Sequence, residues 1–254
     1  MKLYLAGLDW KVGKPSGEKI LKMLSDYGFE NVYALSSFYT ITKNFQSYIP
    51  QFKDFLLDSG AYSFMKKDED NVNWDEYLER YAEYINRNDI EKYFELDIDP
   101  IVGYDKVKEY RYLLEKVTGR RSIPVWHKSR GLDEFLAMCE DYEYAAIGDI
   151  VIGRISVNDY KYFPYLIREA HKRGCRIHGL GITGFSFLKQ YHFDTVDSSS
   201  WSIGGRYGKV YTFQNGEMRA KKRQEGTRVK NVRLIDAHNL AEFLKYQKYA
   251  EVFL

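Results

Sequence analysis

Apolar and polar positions along the chain fall into short runs rich in β-branched and aromatic residues, each closed by glycine, serine or an acid. Eight such runs occur: LYLAG (3–7), VYALSS (32–37), FLLDSG (55–60), YFELDID (93–99), IPVWHK (123–128), YAAIGDI (144–150), RIHGLGI (176–182) and DTVDSSSW (194–201). Their length and composition predict strands. The segments between them carry helical spacing. In 74–88, Trp74, Tyr77, Leu78, Tyr81 and Ile85 share one face. Segment 104–119 ends on Gly119, a helix stop, and 131–142 and 157–174 repeat the scheme, with Pro164 in a first turn or at a kink. Strand and helix alternating eight times predicts an α/β fold with a parallel sheet. The economical form is a closed (β/α)8 barrel over residues 1–210, with a doubly wound open sheet as the alternative. The pattern then changes. Residues 209–222 alternate about Asn215-Gly216, a hairpin signal. A basic stretch (219–233) follows, and then a helix from about Asp236 to Tyr249. Residues 211–254 are thus expected to form a hairpin, a basic segment and a helix packed on the barrel.

Composition adds limits. The 254 residues, 44% of them hydrophobic, suffice for one well-buried barrel core. A formal net charge of +2 gives no global argument for a polyanionic partner. The charge is concentrated, however: seven Lys or Arg stand in 219–233 against Glu225 alone. Lys221, Lys222, Arg223 and Arg228 are therefore candidate phosphate contacts. Cys139 and Cys175 are too few for a disulfide framework or a four-ligand zinc site, and they fit a reducing compartment. Charged Asp9 and Lys11 come too early for a signal peptide, and no apolar run nears the ~18 residues of a membrane span. The expectation is a cytoplasmic protein without a membrane partner. No G-x-G-x-x-G follows the first run, and "GLDWKVGKPSG" (7–17) lacks the G-K-[ST] of a phosphate loop.

In a (β/α)8 barrel the active site lies at the C-terminal ends of the strands. Just past the apolar runs stand Ser36 and Ser37, Asp58 and Ser59, Asp97 and Asp99, His127 and Lys128, Gly148 and Asp149, His178 and Gly181, and Asp197 with its serines. Buried acids are costly unless paired, so acids at so many strand ends point to function. Two carboxylates facing one cavity support double displacement at a glycosidic carbon, one as nucleophile and one as acid and then base. Asp58 and Asp197 are the candidates. Asp194 lies three residues earlier on the opposite face and is expected to be structural. Arg206, in "GGRYG", is a candidate phosphate ligand, since guanidinium pairs bidentately with phosphate. His178, inside a strand, is expected in the core. Trp201 stands either as a cavity wall or as rim packing.

These residues also resemble a family. "DSGAYSF" (58–64) is similar to the D-S-G-G-F-Q segment of the tRNA-guanine transglycosylase (queuine tRNA-ribosyltransferase-like) superfamily, which exchanges guanine for a 7-deazaguanine. "ELDIDPIVG" (95–103) stands where that family has its base-binding acidic segment, and "YAAIGDIVIG" (144–153) resembles its base-recognition loop. "IHGLGITG" (177–184) and "VDSSSWSIGGRYG" (196–208) resemble its H/M-G-x-G and nucleophile strands. The five motifs span most of residues 55–210 in the family's order. The resemblance implies Asp197 as nucleophile and Asp58 as general acid/base. It sets Asp97 or Asp99 at the base edge with a backbone contact from Gly148. By position, Asp149 and Gly181 are further base-binding candidates, His127 and Lys128 candidates for base or phosphate, and Arg206 a candidate for phosphate. It requires no metal or cofactor. The tRNA enzymes carry a structural zinc set, C-x-C-x-x-C…H, that this sequence lacks. The likeness is therefore greatest to the short enzymes of phages and bacteria that insert preQ0-type bases into DNA, located in the host cytoplasm if phage-encoded. The partners implied are DNA in preference to tRNA, and a 7-deazaguanine co-substrate. A glycosidase or isomerase on the same barrel, or a non-catalytic nucleic-acid-binding barrel, are the alternatives.

Overall fold

Seven parallel strands form one curled sheet: β1 (Lys2–Ala6), β2 (Tyr33–Ser37), β3 (Asp54–Asp58), β4 (Val125–Trp126), β5 (Tyr144–Ile147), β6 (Arg176–Gly179) and β7 (Thr195–Ser198). Their order is β3-β2-β1-β7-β6-β5-β4. This computed structural model describes residues 1–14, 17–60, 63, 72–150, 153–182, 184–222 and 231–254. Helices alternate with the strands as the sequence predicts. They are α1 (Leu8–Val12) and α2 (Gly17–Tyr27), α3 (Lys43–Gln46), α4 (Trp74–Arg87), α5 (Asp99–Val102) and α6 (Tyr104–Thr118), α7 (Gly131–Asp141), α8 (Phe163–Lys172) and α9 (Phe185–Gln190). Helix α4 shows why they form. Asn73 caps it, accepting the Glu76 N–H, and its apolar face buries Tyr77, Leu78, Tyr81, Ala82 and Ile85.

The fourth apolar run departs from expectation, since residues 93–99 do not form a ladder strand. Tyr93 and Phe94 make single parallel bridges, to Leu57 of β3 and to Ile123 just ahead of β4. The Phe94 N–H donates to Leu57 O (2.9 Å) and the Ile123 N–H to Tyr93 O (2.8 Å). Pairing stops there for a local reason. The Val125 N–H, which the next bridge would use, donates to the Glu95 carboxylate (2.8 Å) instead of to backbone, while Pro124 faces β5, where its C=O accepts the Ala146 N–H (2.8 Å). The segment thus touches both edges of the sheet through two residues.

Alternate strand residues point into the curl. Tyr4, Ala6, Tyr33, Leu35, Leu56, Phe94, Ile123, Val125, Tyr144 and Ala146 pack there as one buried cluster, while two larger clusters fill the space between sheet and helices. The cluster occupies the middle of the concave side and leaves the C-terminal strand ends open.

The region after β7 differs from expectation in one place. The strand ends at Ser198, short of the apolar run that reaches Trp201, and Ser200–Tyr207 form a helix, α10. Its two central glycines oppose helix by propensity. They are explained by the terminal helix α11 (Val232–Phe253), because a Cβ at Gly204 would collide with Asn239 Nδ2 and one at Gly205 with Asp236 Oδ1. Trp201 is fully buried in this contact, and its Nε1–H donates to Ala6 O (2.9 Å). It is packing. The predicted hairpin is present as β8 (Lys209–Gln214) and β9 (Glu217–Lys222), with Asn215 (φ 53°) and Gly216 (φ 70°) in the left-handed turn that this pairing needs. Helix α11 is longer than its sequence signal and closes the N-terminal end of the sheet. Gln247 donates to Leu3 O (2.6 Å) and Tyr33 O (2.9 Å) and accepts the Tyr33 N–H, bridging the starts of β1 and β2. Among the described residues no helix is long and apolar enough to cross a membrane. Cys139 and Cys175 are free and buried.

Candidate active site

The C-terminal strand ends surround a cavity of about 350 Å³, within the range of small-ligand pockets, about 300–1,000 Å³. Asp58, Asp97, His127, Gly148, Asp149, Gly181 and Asp197 all line it, together with Ser37 and Ser199. Residues 58 to 197 are brought together because each stands at or just past the C-terminal end of a parallel strand, or, for Asp97, of the segment bridged through Tyr93 and Phe94.

Asp58 ends β3. Gly60 N–H donates to its Oδ2 (3.1 Å). Burial pushes its carboxyl up to about 7 against that hydrogen bond, helped by the nearby Asp197 and Asp97. Asp58 therefore holds a proton in the neutral range and can release it. Asp197, near the end of β7, is held differently. Its Oδ1 accepts the Gly181 N–H at 2.6 Å and faces His178 Nε2 at 3.2 Å. No hydrogen bond to Oδ2 is present among the described residues.

The opposite wall is an ion-pair network. His127 Nε2 lies 2.5 Å from Asp97 Oδ1, and its Nδ1 lies 2.8 Å from Asp149 Oδ1. Burial opposes a charge on the ring, but Asp149 and Asp97 outweigh it and push His127 up to about 10. His127 is thus clamped between two carboxylates that favour its protonated form. Burial likewise works against the Asp149 charge, and His127 and the Lys128 N–H hold its carboxyl below the ordinary range. Asp149 adopts φ 66°, and its Oδ2 accepts the Lys128 N–H (3.0 Å). Gly148 is required by this clamp, since a Cβ there would come within 2.8 Å of His127 Cε1.

Asp99 stands apart from the cavity. Arg130 grips it with Nε (2.7 Å) and a terminal nitrogen (2.5 Å) while stacking over the Tyr104 ring at 3.9 Å. Arg130 also reaches buried Glu95, as does Arg111, each at 3.4 Å. Burial nevertheless raises Glu95 to about 7. Asp97, Asp99 and His127 each offer one ligand atom within 4.8 Å of the others, the spacing of a cation site. Two of them already have other partners: Arg130 holds Asp99, and His127 Nδ1 faces Asp149.

The candidate phosphate ligands among the described residues do not line the cavity. Arg206 is exposed in the last turn of α10, and Lys221 and Lys222 are exposed on β9. Lys128 Nζ pairs with Asp159 (2.8 Å) at the rim of a separate, largely apolar groove of about 480 Å³ between α7 and α8. Arg223 and Arg228 lie outside the described residues. Asp194 is on the opposite face from Asp197, accepting the Ile177 N–H (2.7 Å) and pairing with His171 (2.8 Å).

Sequence reasoning passed over two groups. Asp9, in the first turn of α1 just after β1, lines the cavity at 1% exposure and accepts a hydrogen bond from Thr40 Oγ1 (2.5 Å). Burial pushes its carboxyl up, against hydrogen bonds from Thr40, the Trp10 backbone and Ser36. The strand-end rule applied to the first run would have found it. His178, expected as core, is fully buried yet faces Asp197. The sequence matches no known family model and no curated protein.

Proposed function

We propose that the protein is a base-exchanging transglycosylase that replaces guanine in DNA with a 7-deazaguanine of the preQ0 type. The observation that carries this reading is the unlike pair at the cavity. Asp58 and Asp197 come from different strands to one pocket, one with its carboxyl pushed up to about 7 by burial, the other anchored through a single oxygen. Such a split suits an acid/base and a nucleophile. In the first step Asp197 Oδ2 attacks C1′ of the nucleotide and the bond from C1′ to the guanine nitrogen breaks. Asp58 gives its proton to the departing base. In the second step Asp58 removes the ring N–H proton of the incoming 7-deazaguanine, whose nitrogen attacks C1′ and expels the Asp197 carboxylate. The target base leaves the helical stack to reach the strand ends. His127, Asp97 and Asp149 form the polar wall against which a flipped base would hydrogen-bond. We also read the sheet as a closed eight-stranded barrel, a reading supported by the hydrogen bonds of Tyr93 and Phe94 to both sheet edges.

The test is incubation of the protein with labelled guanine and either DNA or tRNA. The reading expects label in DNA, displaced by added preQ0. Label in tRNA alone would move the same chemistry to RNA, and label in neither polymer would overturn it.

A further inference from the structure

We propose that Tyr144, Thr195 and His178 form a buried positioning chain that fixes Asp197 with Oδ2 free to attack; this rests on the reading of Asp197 as nucleophile. The chain runs beneath the cavity floor. Tyr144 Oη lies 2.5 Å from Thr195 Oγ1, and Thr195 Oγ1 lies 2.7 Å from His178 Nδ1. His178 Nε2 in turn lies 3.2 Å from Asp197 Oδ1. Three strands supply it, Tyr144 from β5, His178 from β6, and Thr195 and Asp197 from β7.

Hydrogen-bond directions follow from what each group can offer. The Asp197 carboxylate accepts, so His178 Nε2 carries the ring proton. Nδ1 then has a lone pair and accepts from the Thr195 hydroxyl, whose oxygen accepts from Tyr144. Every proton has one acceptor and none is left over. The reverse tautomer would set a lone pair on Nε2 against Asp197 Oδ1 and leave Thr195 and Tyr144 competing for acceptors. A fully buried network pays heavily for such a mismatch. The ring cannot easily turn to escape it, because Phe94 (5.3 Å), Tyr4 (6.1 Å) and Tyr144 (6.4 Å) enclose it edge-on.

The consequence is directional. His178 and the Gly181 N–H both address Oδ1, which pins the carboxylate plane and, among the described residues, leaves Oδ2 unengaged. His178 is therefore a positioning residue: it acts through Asp197 and touches no reacting atom.

Four variants, Thr195→Val, Tyr144→Phe, His178→Gln and His178→Leu, test the chain through two readouts. Imidazole ¹⁵N NMR of the wild-type protein should show His178 as the Nε2–H tautomer, and Thr195→Val should shift it toward a tautomer mixture. The single-turnover rate of covalent adduct formation with DNA should fall about 10- to 100-fold in His178→Leu, the worth of one hydrogen bond to a charged group. His178→Gln, whose amide N–H can reach the same oxygen, should recover most of that loss, and KM for DNA should stay unchanged in all four. An Nδ1–H tautomer in the wild-type protein would overturn the proposal. So would a folded His178→Gln as slow as His178→Leu. Should His178→Leu not fold, the spectrum and the Gln and Val variants decide the matter. Absence of any adduct with the wild-type protein would instead reject the transglycosylase reading, and the tautomer measurement would still judge the chain.

Discussion

Asp54 and Asp58 stand at opposite ends of the five-residue strand β3, on the same face, and meet opposite surroundings. Asp54, at the N-terminal end, accepts from Lys92 Nζ (2.6 and 2.8 Å), Tyr4 Oη (2.9 Å) and Lys2 Nζ (3.3 Å). Burial works against its charge, but Lys92, Tyr4 and Lys2 prevail and hold its carboxyl below the ordinary range. Among the described residues Asp58 has no cation beside it. It has two further carboxylates and a carboxyl pushed up to about 7. One end of the sheet neutralises its acid and is closed by Gln247 of α11. The other gathers Asp9, Asp58, Asp97, Asp149 and Asp197 around an open cavity with His127 as the cation on its lining. Stability governs the first end, and the second sacrifices some stability to hold unlike acids.

The sharpest way to break this contrast is Asp58→Asn. Loss of general acid–base help should slow base exchange by about 10²–10⁴-fold while DNA binding persists. In the wild-type protein, adduct formation should decline as pH rises through about 7, because Asp58 must be protonated to serve the leaving base. That limb should vanish in the variant. The substitution should raise stability while it lowers activity. Asp58 has its pKa raised in the folded state, so folding favours the protonated form, and its cost appears as pH climbs from about 4 to about 7 and is complete above. Asp58→Asn should therefore melt higher than wild type at pH 8, with the gap closing toward pH 4. Thermal melts across that range check it.

Asp54→Asn is the mirror experiment. It should cost about 1–2 kcal/mol, an amount kept small because Lys2 and Lys92 remain partly exposed and can rehydrate. The loss should be seen in urea unfolding at pH 7, with exchange unaffected. Asp54 has a depressed carboxyl in the fold, so its contribution is present above the ordinary carboxylate pKa and is lost as pH falls below it. The two acids of one strand should thus give pH–stability slopes of opposite sign.

The smallest effect belongs to Asp194→Asn, about 1 kcal/mol from a half-exposed pair with His171 and one backbone hydrogen bond. Exchange should be untouched. A collapse of activity here would place the nucleophile on the wrong aspartate and undo the face assignment of β7.

Much of this arrangement is written locally in the chain. Apolar runs closed by Asp58, His127, Gly148 and Asp197 mark strand ends, and a parallel sheet puts all such ends on one side, which is why these residues meet. What escaped depends on partners distant in sequence. The fourth run fails as a strand because the Glu95 carboxylate takes the Val125 N–H that a further bridge would need. The helix Ser200–Tyr207 contradicts the propensity of its glycines and exists because α11 lies against them. Asp99 reads like Asp97 in sequence, yet Arg130, 31 residues on, removes it from the cavity. His178 looks apolar by position, and only the fold sets Asp197 beside it.

The central claim is that Asp197 forms a covalent bond to the sugar. Wild-type protein, Asp197→Asn and Asp58→Asn are each mixed with DNA and a 7-deazaguanine, quenched, and run on a denaturing gel. The account predicts a shifted protein–DNA band for the wild type, a slower-forming one for Asp58→Asn, and none for Asp197→Asn. A band that survives Asp197→Asn would contradict it.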